Sequence, residues 1–152
     1  AKCIGKVIKM YKPVYLIGHS MGGMSIFFNE FQQKSNSVQK IVSLGSPTEM
    51  KKIIDDLQQI LGLKAKLMSD VEDYFKDKFG YRFEDFTTRN FVESVVQDCL
   101  VIHDKYDKIV PVQSGRNLEK QLKKVTYIET EGAGHSLNRD YIHQHIIDFL
   151  AK

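Results

Sequence analysis

The chain has 152 residues, 42% of them hydrophobic and 27% charged, a globular balance in a length that suits one core and leaves too little for two comfortable domains. No stretch is apolar over the ~20 residues that a membrane-spanning helix needs, so a soluble chain is expected. The net charge of +3 comes from lysines scattered among acids (Lys76, Asp77, Lys78; Asp104, Lys105, Asp107, Lys108) and not from a basic stripe, which argues against a nucleic-acid partner.

Ile4, Val7, Ile8 and Tyr11 recur at helical spacing with lysines between them, so residues 1–11 predict a helix laid over a sheet. Lys12-Pro13 stops it, and Val14 to Ile17 is a short apolar run of the kind a strand buried on both faces shows. Met24, Ile26, Phe27, Phe28 and Phe31 set up a second helix that fades in the polar turn Gln32 to Ser37. Lys40 to Leu44 reads as the next strand, closed by Gly45-Ser46-Pro47.

From Glu49 to Ser94 the alternation is interrupted. Ile53, Ile54, Leu57, Ile60 and Leu61 form one apolar stripe ended by Gly62, and Leu67, Met68, Val71, Tyr74, Phe75 and Phe79 a second ended by Gly80. This predicts a helical insertion. Its second half is rich in aromatic residues (Tyr74, Phe75, Phe79, Tyr81, Phe83, Phe86, Phe91), which suits a pair of helices packed on the rim of a sheet and is compatible with a lid facing a substrate.

Cys99 to His103 is a third strand and Val125 to Ile128 a fourth, followed by a helix over Tyr141 to Leu150, while Val112 to Lys124 supplies the helix between them. Strands alternating with helices predict parallel pairing through right-handed crossovers: an α/β fold of three αβα layers with a mostly parallel sheet. Cys3 and Cys99 match no metal-binding spacing, and Cys99 opens an apolar run as a small core residue would. Free thiols fit a reducing compartment, so the cytoplasm is the expected setting unless a signal precedes Ala1.

The chemistry gathers at three loops. Gly18-His19-Ser20-Met21-Gly22 fits G-x-S-x-G between a strand and a helix, a turn sharp enough to expose the serine hydroxyl, with Gly18 and Gly22 letting strand and helix approach. Met21 would present its N–H at the helix start, where the helix dipole favours a developing oxyanion. A serine hydroxyl is a weak nucleophile at neutral pH and needs a histidine base and an acid to orient that base. After the third strand Asp107 sits before Ile109-Val110-Pro111; after the fourth, Gly132 and Gly134 free a loop that carries His135. Serine, acid and histidine occur in the order that strand ends of a doubly wound sheet would supply them.

Rival residues are Asp104, nearer the strand end than Asp107, and Glu49, after the second strand. His19 reads as a packing or hydrogen-bonding residue, and His103 as a strand-end residue with satisfied hydrogen bonds. His143 and His145, two apart on a helix, face different ways and make no metal pair. No cofactor or metal is expected.

Taken together, LIGHSMGG, VIHDKYDKIVPV and GAGHS resemble the nucleophile elbow, acid loop and histidine loop of the alpha/beta-hydrolase fold superfamily, of the serine esterase and lipase kind. The resemblance implies Ser20 as nucleophile, His135 as general base and acid, Asp107 as its orienting acid, and residues 49–94 as a cap inserted into a core of residues 1–48 and 95–152. It also implies further strands and a second oxyanion donor ahead of this stretch, for which no HG-like segment is present. The chain is therefore expected to be the C-terminal part of a longer protein, of low activity alone. The Val14 to Ile17 strand would then be an open edge, able to pair with a second copy or an N-terminal piece. The expected function is hydrolysis of a small carboxylic ester or related acyl compound. Acyl transfer or thioester chemistry with the same triad and a non-catalytic binding module remain as alternatives.

Overall fold

A computed structural model describes residues 2–152. Its elements are α1 (Lys2–Tyr11), β1 (Tyr15–His19), α2 (Met21–Gln32), β2 (Lys40–Leu44), α3 (Met50–Leu61), α4 (Ala65–Phe79), β3 (Asp98–Asp104), α5 (Gln113–Gln121), β4 (Val125–Thr130) and α6 (Asp140–Ala151), with short 3-10 turns at Thr88–Asn90 and Val92–Ser94. The four strands form one sheet in the order β1-β2-β3-β4, every pair parallel, as the strand–helix alternation predicts.

Position in the sheet explains the composition of each strand. β2 and β3 are central, and Ile41, Val42, Leu100, Val101 and Ile102 are at most 1% exposed, so an unbroken apolar run is what both faces require. Ile41, Cys99 and Val101 face Ile8 of α1, Met24, Phe27 and Phe28 of α2, and Leu118 and Leu122 at the end of α5. Val42, Leu100 and Ile102 face Ile142 of α6 and Leu137 in the loop before it. Helices on both faces give the expected three layers.

β1 is the open edge expected of Val14 to Ile17, and not a strand buried on both faces. It lies at the sheet edge, where Leu16 packs on the first cluster but Tyr15 and Ile17 remain 42% and 53% exposed. The second cluster, under α6, contains no β1 residue, so alternate β1 side chains are uncovered.

The insertion divides into two parts with different packing. α3 and α4 are amphipathic helices that end at Gly62 and Gly80, both left-handed, and neither has a fully buried residue. The following residues return to the main core: Phe86, Phe91, Val92 and Val95 are buried against α2, with Phe28 and Phe86 rings 4.5 Å apart and Phe28 and Phe91 rings 5.5 Å apart, edge to face. An antiparallel bridge between Glu49 and Thr87 closes the base of the insertion.

Candidate active site

Parallel strands bring all their carboxyl ends to one side of the sheet, and each end leads into a loop of this site. Ser20 follows β1, Gly45 follows β2, Asp107 follows β3 and His135 follows β4.

Ser20 is held at φ 53° and ψ −127°, a left-handed backbone that a side chain rarely adopts and that stores roughly 1–3 kcal/mol. Its N–H continues the strand ladder by donating to the Leu44 carbonyl at 2.8 Å, and α2 begins at the next residue. So sharp a turn forces close backbone contact. A Cβ on Gly18 would lie 2.6 Å from the Gly23 nitrogen, and one on Gly23 would collide with the Ser46 hydroxyl. Gly22 corrects the sequence reading: a Cβ there meets nothing within 4 Å, because it stands on the open side of the first turn of α2. The glycines that permit the turn sterically are Gly18 and Gly23.

His135 bridges serine and acid. Its Nε2 lies 3.1 Å from Ser20 Oγ and its Nδ1 2.8 Å from Asp107 Oδ2. With Nδ1 protonated toward the carboxylate, Nε2 is the free base that faces the serine hydroxyl. The other oxygen of buried Asp107 accepts from the Ile109 and Val110 N–H groups at 2.8 and 2.9 Å, which sets the rotation of the carboxylate. Asp107, not Asp104 or Glu49, is thus the acid that meets His135. Gly45 lies beneath this pair: a Cβ there would approach His135 Nδ1 and Asp107 Oδ2 to 3.5 Å each.

Three further residues frame the contact of Ser20, His135 and Asp107. His103 is completely buried, donates from Nε2 to the Val110 carbonyl at 2.9 Å and lies 3.5 Å from Asp107 Oδ2. Its Nδ1 has no partner among the described residues, so only half of the expected hydrogen bonding is present. Burial pulls its pKa below the ordinary histidine value, against the Val110 carbonyl and the Asp107 charge, which favour the cation. His19 donates from Nε2 to the His135 carbonyl at 2.8 Å, the hydrogen-bonding role its place in the elbow predicts, and the two rings lie 4.9 Å apart. Asp104, weighed in the sequence only as a rival acid, is also fully buried, and its hydrogen bonds go to Tyr106, Thr130 and Ala133 and not to the His135 ring. Burial opposes its charge, yet hydrogen bonds from Ala133 N–H, Tyr106 N–H and the Thr130 hydroxyl outweigh it and hold the carboxyl below its ordinary range. The H-x-x-x-D spacing of His103 and Asp107 was the available signal for His103; nothing local marks the contacts of Asp104.

Beside Met21 an apolar cavity of about 320 Å³ opens between α2 and the insertion, lined by Met21, Phe28, Met50, Phe75, Phe79 and Phe86 among others. Ser20, Asp107 and His135 are not in its walls, nor in those of clefts of about 460 and 560 Å³ elsewhere, and it adjoins the serine only through Met21, the next residue in the chain. Among the described residues no cluster of His, Cys, Asp and Glu could hold a metal ion. Cys99 is an inert core thiol, pushed up to about 12 by burial.

The fold is shared with solved proteins. A monoacylglycerol lipase from Paleococcus ferrophilus is 21% identical with a TM-score of 0.69, the match covering 98% of this chain and 72% of that one. An alpha/beta hydrolase, MGS-MChE2, from a lagoon-sediment metagenome is 17% identical with a TM-score of 0.70, covering 99% and 67%. The esterase domain of a Rhodothermus marinus protein is 17% identical with a TM-score of 0.65, covering 98% of this chain but only 63% of that domain. At these identities the likeness is one of fold. No curated protein matches the chain. A family model described as the PGAP1-like alpha/beta domain matches residues 1–136, and the chain, which has the alpha/beta-hydrolase fold, therefore belongs to that family.

Proposed function

We propose that this chain carries the catalytic triad of a serine hydrolase acting on a carboxylic ester or related acyl compound. The observation that carries the reading is the continuous contact from Ser20 Oγ through His135 to Asp107, at 3.1 and 2.8 Å.

In the proposed reaction Ser20 Oγ attacks the acyl carbon while its proton passes to His135 Nε2. The carbonyl oxygen becomes an oxyanion, which the N–H of Met21, the first residue of α2, stabilises in this reading. Collapse breaks the bond to the leaving alcohol, which takes the proton from His135, and leaves an acyl group on Ser20. Water then repeats the sequence: its proton goes to His135, its oxygen bonds to the acyl carbon, and Ser20 departs reprotonated. Asp107 stays ionised and holds the imidazole in the tautomer that leaves Nε2 free.

Residues 1–48 and 95–152 form the core of this enzyme and residues 49–94 its cap, with Phe86, Phe91 and Val92 anchoring that cap in the core. The aromatic cavity beside Met21 supports an apolar acyl or alcohol group in the substrate. Ester cleavage leads over thioester cleavage and acyl transfer, which the same three side chains would serve.

The test is covalent labelling by a fluorophosphonate. Labelling at Ser20 that disappears in Ser20→Ala and His135→Ala supports the hydrolase. A longer form of the protein, folded and unlabelled, would assign the chain to the alternative reading, a binding module that keeps the fold without the reaction.

A further inference from the structure

The loop that carries His135 has no regular structure of its own. Between β4 and α6 the backbone passes through left-handed conformations at Gly132, Gly134 and Leu137, with φ of 80°, 61° and 50°. Glycines that allow this path also loosen it, so the position of the imidazole depends on what grips the loop from outside.

Asp104, the last residue of β3, supplies that grip. Its Oδ2 accepts from the Ala133 N–H at 2.8 Å, two residues before His135, and from the Thr130 hydroxyl at 3.1 Å. Its Oδ1 accepts from the Tyr106 N–H at 3.0 Å, one residue before Asp107. One carboxylate thus holds the acid loop with one oxygen and the histidine loop with the other. It is fully buried and forms no ion pair among the described residues, so these N–H and O–H donors are what compensates for its lost hydration. A buried charge is a demanding way to stabilise a loop, and it is suited to fixing the distance between two of them.

We infer that Asp104 is a positioning residue that sets the separation of His135 from Asp107, and through it the aim of His135 Nε2 at Ser20. The inference rests on the hydrolase reading for its kinetic consequence but not for its structural one. Asparagine keeps the shape of the side chain and replaces one acceptor oxygen by an NH2, which would face either the Tyr106 N–H or the Ala133 N–H, donor against donor. One loop is released. A displacement of about 1 Å at a reacting group lowers a rate by about 10²-fold.

The experiment compares the whole chain with its Asp104→Asn variant after circular dichroism confirms that both are folded. Two quantities are read: the low-field NMR signal of the His135 Nδ1 proton in its bond to Asp107, and the rate of fluorophosphonate labelling at Ser20. Loss or exchange broadening of the signal with labelling slowed 10- to 100-fold is the expected result. A folded variant that keeps the signal and labels within twofold of the unaltered chain overturns the inference. If Asp104→Asn fails to fold, Thr130→Val removes one bond to the same carboxylate: in a variant that remains folded at a melting temperature lowered by a few degrees, the low-field signal should weaken and labelling slow by about threefold or more, whereas no change in either overturns it. If the unaltered chain is not labelled at Ser20, the proton signal alone decides the role of Asp104, and labelling of the longer form decides the hydrolase reading.

Discussion

His135 Nε2 stands 3.1 Å from Ser20 Oγ, although 115 residues separate the two in sequence. The contact depends on parallel strands: β1 and β4 lie at opposite edges of the sheet yet end on the same side of it, and their loops turn toward each other over Gly45. Replacing either residue by alanine should lower esterase or labelling rate by about 10⁴-fold or more, and Asp107→Asn by a similar factor through the wrong histidine tautomer. Rates of the three variants against a p-nitrophenyl ester, with folding checked by circular dichroism, test this. An Asp107→Asn variant that retains most activity would remove Asp107 from the triad.

The elbow glycines should separate by stability. Gly22→Ala is expected to fold with an unfolding free energy near that of the unaltered chain, since its new methyl enters open space. Gly23→Ala, forced against the Ser46 and Ser43 hydroxyls, and Gly18→Ala, forced against the α2 backbone, should each lose about 1–3 kcal/mol. Urea titration of the three variants decides the order.

Acid should destabilise the fold in two stages. Burial depresses the pKa of His103, so above its ordinary value of 6.5 both folded and unfolded forms are neutral and no penalty applies. As pH falls below 6.5 the unfolded chain takes up a proton that the folded chain resists, and stability declines until the folded pKa is passed. Asp104, also depressed, acts in a lower window: its stabilisation is complete above 3.8 and is lost as pH falls from there through the folded value. Urea midpoints measured at pH 7.5 and 5.5 should fall for the unaltered chain and fall less for His103→Gln. An equal fall in both would show that His103 does not carry the first stage.

The open edge of β1 should make this chain self-associate. Unpaired strand groups beside exposed Val14, Tyr15 and Ile17 form a template for a second copy. Sedimentation velocity is expected to show a concentration-dependent dimer or larger species, reduced by Ile17→Lys. A monomer at every concentration up to the millimolar range would count against pairing through this edge.

What the sequence determined by itself is local. Apolar periodicity marked every helix and strand of the sheet to within a few residues, because burial on one helical stripe or on both strand faces demands a repeating pattern. G-x-S-x-G named its serine because a strand–turn–helix is encoded by neighbours, and chain order alone paired it with candidate acid and histidine loops. Which acid reaches His135 was not a local matter: Asp104 and Asp107 differ by three positions, and only the packed loops show one carboxylate on the imidazole and the other tying two loops together. The same holds for Gly23, whose need for a bare Cα comes from Ser46 on another loop, and for Phe86 and Phe91, whose place in the main core is set by Phe28 of α2. Periodicity records which side of an element is buried, while contact between distant segments is a property of how those sides are assembled.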